Sequence, residues 1–589
     1  MNSFDALGRS AAALRRWCVA LGVVLFVSAC AELPKDVQRP VSTSLASPTG
    51  TPLAALVQQR RQTAGARFES GFLLLDGAPA AYGSRLALVE GAQKTLDLQY
   101  YAIHADASTG RLLRAVHEAA SRGVRVRILL DDFHSTGRNA LVMRLAFEPN
   151  IEMRMFNPLA GARASTLGRL FNSLDDAARA QQRMHNKLFI ADNVLGVTGG
   201  RNLGDAYFGN ADSRNFVDLD VLAAGPIVQD LSHSFDAYWN NERAYPVQSL
   251  VKREELDKLL QRTRAEAAER DQQRADGSPQ PPDGEPRPRD AGPTPEQRAR
   301  AWDEKPLDLT TATFVWAPAV VLVDKPAKIP PDDSSSGAGN AKAPGLVVTQ
   351  QANRQAGART SESLDVAADA AAGGETVVEG LLQLIGQARR DLLIISPYFV
   401  PGPDMKQAFA SASSRGVQIR VLTNSLASND APVAHVGYAR HREELLAMGV
   451  GLYELRSEQA GLGSAFGSSG ANAGSGVGGS SRSMLHSKVL VMDGRLLVVG
   501  SMNLDLRSQL QNTEIALLIR SNELSRVAAE QIEAAMREGA WRVERTDGHL
   551  VWRAPQGSDL EDTTTEPDAS AGLRLLLKLF GPLAPDRLL

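Results

Sequence analysis

The chain has 589 residues, more than one hydrophobic core normally holds, so its length predicts two or more domains. Apolar residues make up 43% and charged residues 22% of the sequence, which is ordinary for a globular protein. The 64 Lys and Arg side chains are balanced by 67 Asp and Glu side chains. This balance argues against a protein that binds duplex nucleic acid, because such proteins normally carry a basic excess.

Residues 1–30 have the pattern of a secretory targeting segment, in which arginines precede a short apolar run at 17–27. The tetrapeptide that ends at Cys30, Val-Ser-Ala-Cys, resembles the bacterial lipoprotein box, whose cysteine is lipidated and becomes the first residue of the mature chain. A plain signal peptide or an uncleaved anchor is the alternative. The resemblance implies a protein of the bacterial cell envelope, lipid-anchored on the periplasmic side. Ala31, in place of an Asp after the cysteine, favours the outer membrane over the inner membrane.

Residues 31–66 are rich in Pro, Ser, Thr and Ala without an apolar period, which predicts a flexible tether before a folded first half at 67–262. Helical and strand patterns alternate in this half, which indicates a mixed α/β fold. The predicted elements are a helix at 80–93, a strand at 95–103, a helix at 110–122 ended by Gly123, a buried strand at 124–130 and a strand at 151–156.

The most informative stretch of the first half is MHNKLFIAD at residues 184–192. His185 and Lys187 lie two residues apart before an apolar run, which is the pattern of a buried strand with both polar side chains on one face. Asp192 ends the run, and after six intervening residues a turn of small residues leads to Asn202. An imidazole, an ammonium and an amide are groups that a phosphate ester requires.

The same stretch recurs in a second half at residues 371–556. The second motif consists of His486, Lys488, Asp493 and Asn503. The repeat extends beyond the motifs, because SRGVRVRIL at 121–129 returns as SRGVQIRVL at 414–422 and the strand at 151–156 has a counterpart at 450–455. A repeat of this size predicts two α/β sandwich halves related by pseudo-twofold symmetry.

Two segments between the halves have the composition of disordered linkers, at residues 263–305 and 329–370. Residues 306–328, which separate them, carry two apolar runs and predict a short structured insert. The Gly- and Ser-rich run Gly461–Ser483 lies directly before the second motif, and a surface insertion is favoured over a lid.

The C-terminal segment, residues 557–589, begins as a polar tail and then contains an apolar helix at 573–583 (LRLLLKLFGPL). Packing of this helix against the body is favoured, and a position at a membrane interface is the alternative.

The pattern H-x-K-x4-D-x6-G-(G/S)-x-N, present twice, resembles the phospholipase D superfamily, whose members pair two such motifs in one pocket. The resemblance implies two pseudo-symmetric α/β/α sandwich halves that share one active site. Because both half-sites lie in one chain, no oligomer is required to complete the pocket.

Exchange at a phosphodiester requires a nucleophile, an acid for the leaving alkoxide and positive charge for the phosphoryl oxygens. The sequence has no H-E-x-x-H motif and no carboxylate cluster in either motif, so a site without metal or other cofactor is expected. The two imidazoles must start in opposite protonation states, and the sequence alone does not assign them. The resemblance implies that His185 is the phosphohistidine nucleophile and His486 the general acid and base. It assigns the phosphoryl oxygens to Lys187, Lys488, Asn202 and Asn503.

The carboxylates of the region have different expected roles. Asp192 and Asp493, the last residues of the motifs, are expected to support the strand and turn rather than touch substrate. A nucleophilic His needs an acceptor at its second ring nitrogen. The family places an acidic residue on the strand after each motif, which implies that Asp218 and Glu514 orient the imidazoles. Asp220 is the rival of Asp218, and a surface salt bridge is the alternative role for either carboxylate.

The segments 424–430 (NSLASND) and 436–440 (VGYAR), with the turns GGRNL and GSMNLDLRS, resemble the C-type bacterial cardiolipin synthases and their lipoprotein relatives. The resemblance covers about residues 68–260 and 300–560. It implies a membrane-associated enzyme that forms cardiolipin by transferring a phosphatidyl group, with phosphatidylglycerol as donor or acceptor and phosphatidylethanolamine as a further candidate substrate. His435 and Tyr438 are candidates for contact with the second head group, and a structural role is equally compatible.

Three alternatives to this interpretation differ in substrate or in activity. A phospholipase D that hydrolyses phospholipid to phosphatidate would use the same residues, with water as the acceptor. A nuclease is disfavoured because the chain is not basic, and a catalytically inactive binding protein is disfavoured because both motifs are intact.

Overall fold

The computed structural model describes residues 33–134, 137–160, 177–275, 292–329, 345–351, 355, 361–457 and 482–580. The predicted signal peptide with Cys30, and the insertion from Gly461 up to residue 481, lie outside these residues. No helix within the described ranges combines the length and the apolar character that crossing a membrane would require.

The first half is built around a nine-stranded sheet. Its region contains the strands β1 (Gly71–Leu75), β2 (Thr95–Tyr100), β3 (Arg125–Asp131), β4 (Ile151–Phe156), β5 (Leu188–Ala191), β6 (Leu195–Gly199), β7 (Arg214–Val217), β8 (Asp220–Ala224), β9 (Ala244–Pro246) and β10 (Val315–Trp316). The strand order is β10-β1-β8-β6-β5-β2-β3-β4-β9, and β7 lies outside this sheet. β2, β3 and β4 are parallel, and β5 pairs antiparallel with β2.

The second half is built around a ten-stranded sheet. Its region contains the strands β11 (Ala319–Asp324), β12 (Leu346–Thr349), β13 (Asp391–Ile395), β14 (Phe399–Val400), β15 (Gln418–Asn424), β16 (Val450–Leu455), β17 (Arg482–Leu485), β18 (Val489–Met492), β19 (Leu496–Gly500), β20 (Leu504–Asp505), β21 (Ile515–Arg520), β22 (Ala540–Thr546) and β23 (His549–Arg553). The strand order is β12-β11-β21-β19-β18-β13-β15-β16-β22-β23.

The two sheets correspond strand by strand. The order β1-β8-β6-β5-β2-β3-β4-β9 matches β11-β21-β19-β18-β13-β15-β16-β22, with parallel pairing between β13, β15 and β16 and antiparallel pairing of β18 with β13. The predicted α/β fold with two pseudo-symmetric halves is confirmed. In both halves the motif strand, β5 or β18, lies in the middle of its sheet.

Helices pack against both sheets, which explains why the motif strands β5 and β18 are buried along their whole length. The α-helices of eight or more residues are Pro52–Thr63, Ala78–Gly91, Ala107–Ser121, Ile227–Trp239, Arg253–Ala275, Pro295–Asp303, Glu362–Ala371, Val377–Ile385, Pro403–Ser414, Pro432–Ala439, Asn522–Gly539 and Ala571–Phe580. The 3-10 helices are Gly137–Phe147, Asp205–Tyr207 and Pro326–Lys328, and the shorter α-helical segments are Ala177–Gln181, Val247–Leu250, Arg442–Ala447 and Leu506–Leu510.

One apolar cluster is shared by both halves. It contains Phe235 and Trp239 from the first half and Leu517 and Ile532 from the second, all fully buried. The helix Ile227–Trp239 packs on β11 as well as on strands of its own sheet. Because protein interiors are close-packed, this shared core holds the two motif strands at a fixed separation.

The segment predicted as a flexible tether, residues 31–66, instead lies against the first half from residue 33 on. Ser44 donates hydrogen bonds from its backbone N–H and its hydroxyl to Asp236, and the buried Arg127 donates to the carbonyl of Ser42. The polar groups of this segment therefore satisfy buried charges of the body, which explains why a polar composition does not leave it free.

The regions predicted as disordered linkers, 263–305 and 329–370, contain regular structure where they are described. The elements within them are the end of helix Arg253–Ala275, helices Pro295–Asp303 and Glu362–Ala371, and β12. The predicted insert 306–328 joins the halves, because β10 extends the first sheet beside β1 and β11 extends the second sheet beside β21.

The tail returns to the second sheet before its helix begins. Thr563 pairs with Trp552 of β23, and Glu566 forms an ion pair with Arg442. The helix Ala571–Phe580 then packs on helix Pro432–Ala439.

Candidate active site

The backbone of each motif pairs with the other half of the molecule. β17, which leads into the second motif, is parallel to β7 of the first half, and the backbone N–H of His486 donates to the carbonyl of Val217 at 2.8 Å. The first motif repeats this arrangement, since Met184 pairs with Thr513 and the N–H of His185 donates to the Thr513 carbonyl at 3.0 Å. Each catalytic-motif histidine therefore sits at a junction between the halves.

The two imidazoles are held by carboxylates in a crossed arrangement. Nδ1 of His185, in the first half, lies 3.1 and 3.0 Å from the two carboxyl oxygens of Glu514 in the second half. Nδ1 of His486, in the second half, lies 2.8 Å from Oδ2 of Asp218 in the first half. Both carboxylates are fully buried, and both histidines are buried with less than a tenth of their surface exposed.

This geometry sets the reactive nitrogen of each ring. A carboxylate beside Nδ1 favours the tautomer that carries a proton there, which leaves Nε2 with its lone pair for attack or for proton transfer. The structure thus brings together the predicted residues His185, His486, Asp218 and Glu514, with each carboxylate serving the histidine of the opposite half.

The two lysines lie beside the histidines. Nζ of Lys187 donates to the carbonyl of His185 at 2.6 Å, and Nζ of Lys488 donates to the carbonyl of His486 at 2.6 Å. Burial lowers the pKa of Lys187 to about 7, although Glu514 opposes the shift, and burial also lowers the pKa of Lys488. Two partly desolvated ammonium groups in one pocket are well placed to attract an anionic ligand.

The carboxylates of the crossed pairs differ in charge state. Burial raises the pKa of Glu514 to about 7, although Lys187 and the hydroxyl of Ser501 oppose the shift. Burial acts on Asp218 in the same direction, but the hydrogen bond and charge of His486 outweigh it and hold the pKa of Asp218 below its usual value. Asp218 is therefore an anion near neutral pH, whereas Glu514 is close to its midpoint.

The histidines differ accordingly. Burial lowers the pKa of His185 well below its usual 6.5, and Lys187 and Lys488 add to the effect. Burial and Lys488 also lower the pKa of His486, but the hydrogen bond and charge of Asp218 oppose them. The environments of both rings thus favour the neutral form, strongly at His185 and less so at His486, where Asp218 partly offsets the lowering.

The motif aspartates hold the turns that end the motif strands. The Asp192 carboxylate accepts hydrogen bonds from the N–H groups of three consecutive residues, Gln93 to Thr95, and Asp493 does the same for Arg389 to Asp391. Both aspartates adopt the left-handed conformation, with φ of 48° and 54°. Their contacts lie with the backbone before β2 and β13 rather than with the imidazoles.

The asparagine turns have different surroundings in the two halves. Asn202 donates from Nδ2 to the hydroxyl of Tyr207 at 3.1 Å and accepts from the N–H of Ala102. Asn503 is buried, and no hydrogen-bond partner within the described structure reaches its Oδ1.

A second asymmetry lies one residue after the first glycine of each turn. A Cβ at Gly200 would lie 2.5 Å from Oδ1 of Asp218, so this position excludes a side chain. At the equivalent position Ser501 donates its hydroxyl to Glu514. Glu514 therefore shares its oxygens between a hydroxyl and His185.

Asp220, the rival of Asp218, belongs to a buried ion cluster behind the site. Its Oδ2 lies 2.8 Å from the guanidinium of Arg85 and 3.5 Å from that of Arg201. Arg201 also donates to the carbonyl of Asp218, so the cluster supports the strand that carries the orienting carboxylate.

Aromatic side chains flank both histidines, and the sequence analysis missed most of them as site residues. The ring of Tyr101 meets His185 edge-on with centroids 5.2 Å apart, and Tyr207 meets His486 in the same way at 5.3 Å. The ring centroid of Phe216 lies 4.9 Å from that of His486. Tyr101 directly follows β2 and Phe216 lies two residues before Asp218, so position relative to the predicted strands was the available signal.

His435 and Tyr438 lie in a buried polar cluster rather than beside the two motif histidines. The Arg442 guanidinium donates to Nε2 of His435 at 2.8 Å, and the Tyr438 hydroxyl donates to Glu454 at 3.0 Å. Both side chains are almost completely buried, so the structure gives them packing and hydrogen-bonding roles.

Among the described residues there is also no group of three or more His, Cys, Asp or Glu side chains that could hold a metal ion.

Comparisons with known proteins agree with this geometry. A family model described as "Cardiolipin synthase, PLD-like domain" matches residues 86–239 and 381–536. The chain is 32% identical to cardiolipin synthase C of Escherichia coli (strain K12) over 528 residues, which cover 88% of this chain and 96% of that protein. The chain belongs to the phospholipase D superfamily. The predicted membership is confirmed, and with it an enzyme of the phosphatidyltransferase and phosphodiesterase type.

Two further similarities extend over most of the chain. An uncharacterized protein of Helicobacter pylori (strain ATCC 700392 / 26695) is 30% identical over 562 residues, 93% of this chain and 95% of that protein. The crystal structure of a phosphatidylserine synthase from Haemophilus influenzae Rd KW20 covers 90% of this chain and 98% of its own, with 13% identity and a TM-score of 0.48.

Proposed function

We propose that this superfamily member is a phosphatidyltransferase that forms cardiolipin from two phospholipids through a phosphohistidine on His185. The observation that carries the proposal is the crossed arrangement, in which two imidazoles with Nδ1 bound to buried carboxylates share one pocket with two ammonium groups. The similarity to a cardiolipin synthase over most of the chain supports the choice of reaction.

In the first step Nε2 of His185 attacks the phosphorus of the donor lipid. The bond from phosphorus to the oxygen of the head-group alcohol breaks, and His486 gives its proton to that oxygen. In the second step a hydroxyl of the acceptor lipid loses its proton to His486 and attacks phosphorus, and the bond from phosphorus to nitrogen breaks. The different surroundings of the two rings support this division of roles, because His185 is the more strongly neutral imidazole and His486 has the anionic partner.

The phosphoryl oxygens gain charge in both transition states and need fixed donors. Lys187 and Lys488 fill this role as ammonium groups, and Asn202 and Asn503 contribute amide donors from the turns. Asp192 and Asp493 contribute by fixing the turns that hold the motif strands.

The substrates we propose are phosphatidylglycerol, as acceptor or donor, and phosphatidylethanolamine as a further candidate substrate. The enzyme works at the bacterial cell envelope, lipid-anchored through Cys30 on the periplasmic side and in the outer membrane. A superfamily hydrolase would pass through the same phosphohistidine, and the two activities differ in whether a lipid hydroxyl or water attacks it.

The test is a lipid analysis of bacterial cells that lack cardiolipin synthases and express this chain, beside cells that express His185→Ala. We expect cardiolipin only with the unaltered chain. With purified protein we expect His185→Ala and His486→Ala each to abolish turnover, and Lys187→Ala or Asn202→Ala to lower kcat by at least about 10²- to 10³-fold, the usual loss for a transition-state donor.

Two outcomes would contradict the proposal. A rise of phosphatidate and free head group without cardiolipin makes water the acceptor and the protein a phospholipase D. Full activity in either histidine variant would show that the two motifs do not form one shared active site.

A further inference from the structure

The C-terminal helix Ala571–Phe580 exposes apolar side chains. Leu575 and Leu579, four residues apart and therefore on one face, are 57% and 59% exposed. The two charged residues in this stretch of sequence are Arg574 and Lys578, both basic. An apolar face accompanied by basic residues is the pattern of a helix that lies in the interface of an anionic bilayer.

This helix lies close to the candidate active site. It packs on helix Pro432–Ala439, which has its own exposed apolar residue, Val433 at 53%. The chain just before that helix approaches the second motif, because the hydroxyl of Tyr398 donates to Asp430 at 2.7 Å and β14, which follows Tyr398, pairs with β20 directly after Asn503. One helix therefore separates the exposed apolar face from the pocket.

A buried ion cluster fastens the tail in this position. Arg442 lies between two carboxylates, with Nε 2.8 Å from Glu454 and a terminal nitrogen 3.1 Å from Glu566 of the tail. Arg574, in the first turn of the helix, donates to the carbonyl of Ala569 at 2.9 Å. The helix is thus held by its N-terminal approach, with its exposed face left open.

We propose that helix Ala571–Phe580, together with the start of helix Pro432–Ala439, docks on the surface of an anionic phospholipid bilayer and places the pocket at the membrane. The proposal rests on the proposed function for the nature of the substrate. A lipid phosphate must leave the bilayer surface to reach two buried imidazoles, so a docking surface one helix from the pocket shortens that transfer. Apolar side chains enter the interface, and the basic residues meet lipid phosphates.

The kinetic test compares two forms of one substrate. Phosphatidylglycerol is offered in vesicles and as a short-chain form that stays monomeric in water, and products are measured by mass spectrometry. We expect the double variant Leu575→Glu/Leu579→Glu to lose at least about 10-fold in rate on vesicles and to stay within about 2-fold on the monomeric lipid. Val366→Glu is the matched control, because Val366 is 55% exposed on helix Glu362–Ala371, which packs on β11 near the opposite edge of the same sheet.

A contact measurement tests docking without turnover. An environment-sensitive fluorophore is placed at Leu579→Cys or at Val366→Cys in the full chain, and vesicles of phosphatidylglycerol carry bromine atoms in their acyl chains. We expect quenching at position 579 and little at position 366, with weaker quenching in vesicles of phosphatidylcholine. Label on the native cysteines is common to both proteins and is measured in the unaltered chain.

Several outcomes would overturn the docking surface. These are an unchanged vesicle rate in the double variant, an equal loss on both forms of the lipid, or equal quenching at both positions. A dimer of the unaltered chain that the double variant converts to a monomer would make the face a contact between two copies. If the unaltered chain turns over neither lipid, the proposed function fails, and quenching at position 579 still decides whether the helix docks.

Discussion

The two carboxylates that orient the histidines are in different charge states, and this difference can be measured. The pKa of Glu514 is about 7, so at pH 6 this side chain is mostly protonated, and Glu514→Gln removes little charge. The pKa of Asp218 lies below its usual value, so Asp218→Asn removes a full negative charge at the same pH. We expect Asp218→Asn to lower kcat by at least about 10²-fold at pH 6 and Glu514→Gln by less than about 10-fold.

The same pair of variants also predicts a pH dependence. As pH rises from 6 to 8 Glu514 loses its proton, so the negative charge that Glu514→Gln removes grows, whereas Asp218→Asn removes a full charge throughout this range. Without the Asp218 charge the proton on His486 is held less tightly, so the alkaline limb of the kcat/KM profile moves to lower pH. Equal losses of kcat in the two variants at pH 6 would contradict the difference in charge between Asp218 and Glu514.

At the residue scale the sequence predicted what is local and missed what is shared between the halves. The spacing of His185 and Lys187 identified the motif because strand periodicity alone places the two side chains together. Asp218 and Glu514 are predicted as the orienting carboxylates from their positions after the motifs, but which histidine each one contacts depends on how the halves pack, and no local pattern records that. Tyr101 was missed because an aromatic residue beside a strand usually belongs to a core.

At the scale of elements the tail is held by one buried carboxylate, Glu566. The charge of Arg442 lowers the pKa of Glu566 to about 2, even though burial acts in the opposite direction. A lowered carboxyl pKa stabilises the fold above the unfolded value of 4.5, and this contribution is lost as pH falls towards 2. The difference between the folded pKa of about 2 and the unfolded value of 4.5 corresponds to roughly 3 kcal/mol of unfolding free energy at pH 7.

Glu566→Gln should therefore lower the free energy of unfolding by roughly 3 kcal/mol at pH 7, and the gap to the unaltered chain should narrow below pH 4.5. Denaturant unfolding at pH 7 and at a pH below 4.5 measures the free energy of unfolding of both proteins. Cleavage by trypsin after Arg574 reports release of the tail. Glu561→Gln, an exposed position of the same tail, is the control and should change stability by less than about 0.5 kcal/mol. Equal stability of Glu566→Gln and the unaltered chain at pH 7 would show that Glu566 does not hold the tail.

The segment before the first half shows where composition misleads at this scale. Residues 31–66 lack an apolar period, and low hydrophobicity normally means that a segment cannot repay the entropy of ordering. Here the gain comes from polar groups of the segment, since Ser44 and its neighbours meet Asp236 and the buried Arg127, and from Leu53 and Val57 of helix Pro52–Thr63, which are buried in the core of the first half. These partners lie far along the chain, so only the folded structure reveals them.

For the whole molecule the internal repeat predicted two similar halves, and the strand orders of the two sheets agree with it. The repeat did not predict the exchange between the halves. β10 and β11 are separated by two residues, yet they extend different sheets, and β7 pairs with β17 across the molecule. Such pairings depend on strand edges that become neighbours only when both halves are folded.

The exchange predicts that neither half works alone. A fragment that ends at residue 275 contains His185 and Asp218 but lacks Glu514, and the remaining fragment contains His486 and Glu514 but lacks Asp218. A specific protease site placed in the Pro- and Gly-rich stretch 276–291 allows the folded chain to be cut there. Because the halves share a core, we expect the cut protein to stay associated and keep most of its turnover.

After the fragments are separated in denaturant and refolded apart, each should lose at least about 10²- to 10³-fold in rate, since each histidine has lost its carboxylate and half of its pocket. Refolding the two together should restore turnover, and the same mixture made with His185→Ala should stay inactive. If one fragment alone retained turnover near that of the intact chain, one histidine with its own half would suffice for the reaction. The crossed pairs would then support the fold rather than the chemistry.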